Sequence, residues 1–567
     1  MIDGSVLAKG NVTIRGGRVS AGAIVSGVDF AATRLSPSGN VVLGTDGVLT
    51  VTATSGLVTA GALLSAGDLS ATGAKITGRR DIRLIGEVET NQLLAGRDIT
   101  VGGNRIKAGS IASGVDFAAT DAGRGGIALS NRGNLTIDAA SGSVEVDSVP
   151  AAGGFTSRSG TLAATSITSH GAVAIDGATV IDGSLLGQGN VTIRGGSIRA
   201  GAIASGVDFP ATEAGNGSIA LSNRGNLTID TATGNVDAGT VLSAGAFDSR
   251  SKTFAARSVT AHGAVSIDAT TTIDGSLLGK DGVTVRGASV TAGAIAAGVD
   301  FEATKRSASG NIVLGADGAL TVTATSGNVT AGTLLSAGDM SLTAMKIAAS
   351  NITGRKDIRL TGETDANQVL GGRDITIAGA KVTTTSIASG IDFAATEAGG
   401  GSIVLSDRGN LKIDAASGAV NAGTVLTAGL LDSKSASFAA RSVTANGAVS
   451  IDGATAIDGS LLSGGGVTIR GGAIAAGAIV SGVDFAATKR SASGNIVVGS
   501  EGALTLTASS GNVTAGTLLS AGDLTAAARK IVVANITGRK AIGLGGEVET
   551  NQSGRREMRR VCRRHRD

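Results

Sequence analysis

The tetrapeptide Gly-Val-Asp-Phe recurs along the chain, once as Gly-Ile-Asp-Phe, and its phenylalanines fall at Phe30, Phe117, Phe209, Phe301, Phe393 and Phe485. The intervals are 87 residues and then 92 four times. The short interval has a local cause, because SATGAKITGRR from Ser70 is five residues shorter than SLTAMKIAASNITGRK from Ser341. A fixed period of this kind marks a repeat architecture, in which no unit buries its apolar face alone and stability comes from stacking on neighbours. Two types of unit alternate irregularly. The first type carries GNVVLGTDGVLTVTATSG from Gly39, with relatives from Gly310 and Gly494. The second carries RGNLTIDAASG from Arg132, with relatives from Arg224 and Arg408. The predicted organisation is one repeat region over 1–552, with units near 30–116, 117–208, 209–300, 301–392, 393–484 and 485–552, followed by a basic tail over 553–567.

A shorter period lies inside each unit. Pieces such as Gly189-Asn-Val-Thr-Ile, Gly217-Ser-Ile-Ala-Leu, Gly225-Asn-Leu-Thr-Ile and Gly263-Ala-Val-Ser-Ile alternate apolar and polar residues after a glycine, the pattern of a half-buried strand. Their spacing predicts coils of about 18–19 residues, about five to a unit, and hence an all-β fold: a right-handed parallel β-helix with a 92-residue super-repeat. Asn11, Asn40, Asn134, Asn190, Asn226, Asn311, Asn410 and Asn495 each follow glycine and are expected to turn the chain through positive φ. Val, Ile and Leu should stack inside and Thr and Ser outside.

Composition agrees. Apolar residues are 42% of the chain, too many for a disordered one, yet there is no Trp or Tyr and only ten Phe. That suits a narrow core of small branched side chains. The net charge of +3 comes from the tail, where seven Arg stand against Glu557 and Asp567, so the remaining residues carry −2. A near-neutral body gives no reason to expect specific nucleic-acid binding. Cys562 is the single cysteine and lies in the tail, so the repeats offer no disulfide or thiolate site. No apolar run of about 18 residues occurs.

Catalytic chemistry finds no foothold in the sequence. Asp29, Asp116, Asp208, Asp300, Asp392 and Asp484 recur in every unit, whereas an active site is built once; they are expected to accept backbone N–H bonds at a turn or cap. The adjoining phenylalanines are expected to plug the core. His170 and His262 stand 92 apart and Asn446 takes the next equivalent place, which reads as a solvated turn position. Arg15, Arg194, Arg286 and Arg470 occupy one strand position and read as a solvated edge. Tandem calcium-binding nonapeptides and the GK[ST] ending of a phosphate loop are absent. No catalytic, cofactor-binding or metal-binding residue is assigned, and no enzyme activity is expected.

Repeats such as GNVTIRGG, GRDITVGG and GAVSIDG at about 19-residue spacing resemble the repeat region of filamentous haemagglutinins, the exoproteins of Gram-negative two-partner secretion systems. The resemblance covers about residues 1–550. It implies a secreted, cell-surface adhesive rod whose full-length form uses an outer-membrane transporter and whose partners are host-cell glycans or surface proteins. The passenger rod of an autotransporter is the alternative, and a polysaccharide-degrading β-helix enzyme the third. No signal peptide is visible, and IDGSVLAKGNVTIRGG at the start matches IDGSLLGQGNVTIRGG at Ile181, so the chain is expected to begin within a repeat. EVETNQ from Glu547 matches EVETNQ from Glu87 up to Gln552 and then diverges, so the tail is expected to be disordered or an out-of-frame reading. Uncapped ends predict end-to-end self-association.

Overall fold

A computed structural model describes all residues except 37–39, 54–57, 71–74, 123–125, 216–217, 308–309, 399–401, 492–494 and 554–567, so the basic tail beyond Ser553 lies outside the described residues. The chain divides into two compact units, Met1–Ser276 and Leu277–Asp567. Each is a β-solenoid of stacked parallel strands, with about 29 turns in the two together and about 18 residues per turn.

Register defines the coil. In the first unit Leu135, Phe155, Val173, Val191 and Leu227 are ladder partners in successive coils, spaced 20, 18, 18 and 36 residues apart. In the second, Ile375, Leu411, Leu431, Val449 and Val467 form the same column. The 36-residue step contains a turn that leaves the stack. The five coils expected per 92 residues are therefore four stacked coils and one excursion. Strands on either side of an excursion pair directly, as Ile198 does with Val236.

The alternation places the apolar residues inside as expected, but serine and threonine, expected outside, also face in: Ser157, Thr179 and Ser249 are at most 1% exposed. Along Val173–Gly187, Val173, Ile175, Ile181 and Leu185 are at most 1% exposed while Ala174, Asp176 and Asp182 face out. The core aromatics are Phe155, Phe247, Phe254 and Phe438, not the repeated ones.

Each excursion leaves and returns through two glycines. Gly27, Gly114, Gly206, Gly298, Gly390 and Gly482 all have φ between 69° and 76°. Their partners, Gly47, Gly133, Gly225, Gly318, Gly409 and Gly502, have φ between 131° and 148°. The two backbones touch: a Cβ on Gly225 would stand 2.4 Å from Gly206 N, and one on Gly206 would stand 2.1 Å from Arg224 O. No L side chain fits either place without strain. Buried hydroxyls close the root beneath. Ser205 Oγ donates to Gly225 O at 3.0 Å and lies 3.0 Å from Ser243 Oγ in the next stacked coil.

Three further sequence expectations about the backbone and the repeated residues are corrected. Positive φ among described non-glycine residues belongs to Ala140, Ala232 and Ala416, not to the asparagines. The segment after Gly217 is not a ladder strand. It is the return limb of an excursion with one antiparallel bridge, Val207 to Leu221, and its alternation reflects Ile219 packing on a small local cluster rather than on a sheet. The repeated phenylalanines do not plug the solenoid. Phe209 is buried, but Phe30 is 45% exposed and the other four are half-buried. Each opens a helix outside the stack, where the core's ladder does not reach.

Gly206→Ala is expected to lower stability by at least about 2 kcal/mol, since it adds φ strain to a backbone clash. Gly196→Ala, where the nearest atom is 3.9 Å away, should stay within about 0.5 kcal/mol. Urea midpoints of the two variants check this, and equal effects would contradict the root geometry.

Candidate functional site

The excursions are the repeated projections of the molecule. They carry six short helices: α1 (Phe30–Leu35), α2 (Phe117–Ala122), α3 (Phe209–Ala214), α4 (Phe301–Arg306), α5 (Phe393–Ala398) and α6 (Phe485–Arg490). The repeated aspartate caps each, as the sequence predicts. Asp300 Oδ1 accepts Ala303 N–H at 2.9 Å and Asp484 Oδ1 accepts Ala487 N–H at 2.8 Å, satisfying a donor the helix cannot. Sequence reasoning missed the threonine three residues after the phenylalanine. Thr212 Oγ1 accepts the N–H of Ala220 on the return limb at 3.0 Å, and Thr304 does the same for Val313. The signal was present, because this threonine recurs in all six copies at fixed offset. Phe209 then covers a local cluster with Val207 and Ala204, packed by Leu186, Ile219 and Leu242.

The two unit types differ in how the return loop is held. In first-type units Arg355 Nη1 donates to Gly315 O at 3.3 Å, and Lys356 Nζ sits 2.6 Å from Asp317 Oδ1. Arg80 pairs with Asp46 likewise. Second-type units put Arg132, Arg224 and Arg408 where the acid stands, and Gly171, Gly263 and Gly447 where the base stands. These three exposed arginines make no ion pair among the described residues.

Beside Arg408 lies an open groove of about 430 Å³ lined by Asp357, Arg373, Asp374, Asp407, Arg408 and Asn410 among others. Its floor is a column of Asx side chains that reach from coil to coil. Asp357 Oδ1 accepts Asp374 N–H at 3.1 Å, Asp374 Oδ1 accepts Asn410 N–H at 2.7 Å, and Asn410 Oδ1 accepts Leu430 N–H at 3.0 Å. The first unit repeats the column through Asp81, Asp98 and Asn134. This is the role of the glycine-linked asparagines in the stacked coils: they bridge coils at the strand entry instead of turning the chain by positive φ. The groove's carboxylates and guanidinium groups can meet a hydroxyl-rich or mixed-charge ligand.

The arginines of one strand position are part of a longer pattern. Asp138, Arg158, Asp176, Arg194, Asp230 and Arg250 are consecutive ladder partners, so charge alternates rung by rung. The second unit has Asp414, Lys434, Asp452 and Arg470 in the same relation. Spacing by 92 residues samples Arg194 and skips the aspartates between; spacing by 18–20 residues finds them.

His170 is not a freely solvated turn. Its ring stacks on Phe209 with centroids 4.4 Å apart and planes 9° apart. Burial lowers its pKa from the ordinary 6.5, partly opposed by the charge of Glu213 on α3.

Among the described residues no three His, Cys, Asp or Glu side chains lie together as a metal site would require, and no helix is long and apolar enough to cross a membrane. No protein-family model, curated protein or solved structure matches the chain. The fold alone defines its class, a parallel β-solenoid repeat protein.

Two outcomes follow. Asn226 Oδ1 accepts Ala246 N–H at 2.9 Å, so Asn226→Ala should cost about 1 kcal/mol while Asn226→Asp, which keeps the acceptor, costs less; urea denaturation measures both. A depressed histidine pKa means the folded state prefers neutral imidazole, so its contribution to stability is present above the ordinary value of 6.5 and is lost as pH falls from there through the lower folded pKa. His170→Asn should flatten this part of the pH–stability curve; an unchanged curve would rule out His170 as its source.

Proposed function

We propose that the chain is a structural, adhesive rod of a secreted bacterial surface protein, exported in its full-length form through an outer-membrane transporter of the two-partner type. It has a binding role and no catalytic one. Its ligands are cell-surface glycans or proteins met by shallow polar faces that recur with each unit. The observation that carries this reading is recurrence: the same capped excursion stands out from the stack once per unit, at intervals of 87 or 92 residues, with the Asx column and charged rungs between. A surface repeated this way favours many weak contacts over one deep one, and avidity then supplies the strength. The resemblance of its strands to haemagglutinin-type repeats supports the same reading.

Beads coated with the chain at high density are expected to bind epithelial cells on the order of a hundredfold more tightly than the soluble chain does. Arg132→Ala, Arg224→Ala and Arg408→Ala together should weaken that binding. Coated beads that bind cells no better than albumin-coated beads would contradict the proposal.

A further inference from the structure

We propose that the alternating charge ladder of the first unit is a pairing surface for a second copy of this chain, docked side by side and antiparallel. The inference goes beyond the adhesive reading, because it concerns association between copies and not capture of a host ligand.

The geometry is specific. Asp138, Arg158, Asp176, Arg194, Asp230 and Arg250 occupy one outward position in six registered coils. Five are exposed and Asp230 is partly so. Rungs of a parallel sheet stand about 4.8 Å apart, and two copies share that spacing. Reversing an alternating series of even length exchanges its signs. A two-fold axis midway between Asp176 and Arg194 therefore sets Asp138 against the partner's Arg250, Arg158 against the partner's Asp230 and Asp176 against the partner's Arg194, and each contact recurs in reverse. All six rungs meet an opposite charge and none meets a like one. This is the self-complementarity that an isologous contact requires. The parallel, unshifted arrangement puts every charge against its own sign and is excluded.

Two further observations favour a second copy over another partner. Adjacent rungs make no ion pair within 4.0 Å of each other among the described residues, so the arginines remain available. Asp138 gives one oxygen to Ala140 N–H at 3.1 Å and keeps the other. The neighbouring outward column, Thr136, Thr156, Ala174, Thr192, Thr228 and Asp248, is small over five of its six rungs and carries one exposed carboxylate, beside Arg250, so nothing bulky on these strands holds a flat partner away. A single exposed ion pair contributes little, but six in register act as a network, and the contact should be sensitive to salt.

Sedimentation of the full chain under reducing conditions tests this. A dimer is expected at about 50 mM NaCl, with Kd raised at least about tenfold at about 500 mM. All variants carry Lys434→Gln and Arg470→Gln to silence the shorter ladder. In that background Arg158→Gln, Arg194→Gln and Arg250→Gln should give a monomer with an unchanged circular dichroism spectrum. One variant with Arg158→Asp, Arg194→Asp and Arg250→Asp, and another with Asp138→Lys, Asp176→Lys and Asp230→Lys, should each be monomeric alone and form a heterodimer when mixed. A wild-type chain that stays monomeric at tens of micromolar in low salt, a dimer that survives the glutamine substitutions, or a mixture of folded swapped variants that fails to associate would each overturn the proposal. Cell binding by coated beads does not depend on any of these results, so the two readings fail separately.

Discussion

Parallel, in-register hydrogen bonding between successive coils is the constraint from which the rest follows. A residue's neighbours are the residues at the same position one coil before and one coil after, so every choice of side chain is repeated into a column. Inside, the columns are mostly Val, Ile and Leu with an occasional Phe or Ser, as at Leu135, Phe155 and Val173 and at Ile137, Ser157 and Ile175. Outside, they are Thr or charge. At the strand entry they are Asx residues that spend a side-chain oxygen on the next coil's backbone. None of these columns exists within a single coil, and a coil taken alone has no core.

Excursions are compatible with this order because they do not interrupt it. The glycine pair lets the chain leave and return at almost the same point, and the strands on either side pair as though nothing stood between them. What the excursion displays is then free to vary. Two first-type units tie their loop down through an acid and a basic residue two coils on, whereas second-type units exchange the acid for arginine and the base for glycine. The helix itself stays the same through its aspartate cap and its threonine clasp, while its phenylalanine ranges from buried at Phe209 to exposed at Phe30. A constant frame with variable, evenly spaced projections suits a role in contact more than one in chemistry.

Much of the fold is legible in the amino-acid sequence because the columns leave a period there. The 92-residue repeat, the 18-residue coil, the alternating inside and outside and the capping aspartate all follow from that period and from residue type. What escapes are relations between residues that the period alone does not connect. Gly206 and Gly225 are nineteen positions apart in the sequence and touch in space. Ile219 and Leu221 alternate like a strand, but Ile219 packs on a local cluster and Leu221 makes a lone bridge to Val207. The phenylalanine beside the cap resembles a core residue because it is large, apolar and repeated, yet it belongs to the excursion. His170 reads as solvated because asparagine replaces it elsewhere; in its own unit it meets Phe209. The charge ladder is hidden at the long period and visible only at the short one.

Spin labels place the central claim under the most direct test. With Cys562→Ser removing the native thiol, labels at Thr192→Cys and Thr228→Cys should sit on adjacent rungs and broaden each other's spectra strongly, despite 36 residues of intervening chain. Labels at Thr192→Cys and Ala211→Cys, one nominal coil apart, should not, because Ala211 lies on the excursion helix. Strong coupling in the second pair and none in the first would mean that the chain stacks uniformly through the excursion, and would contradict a solenoid whose coils pair across it.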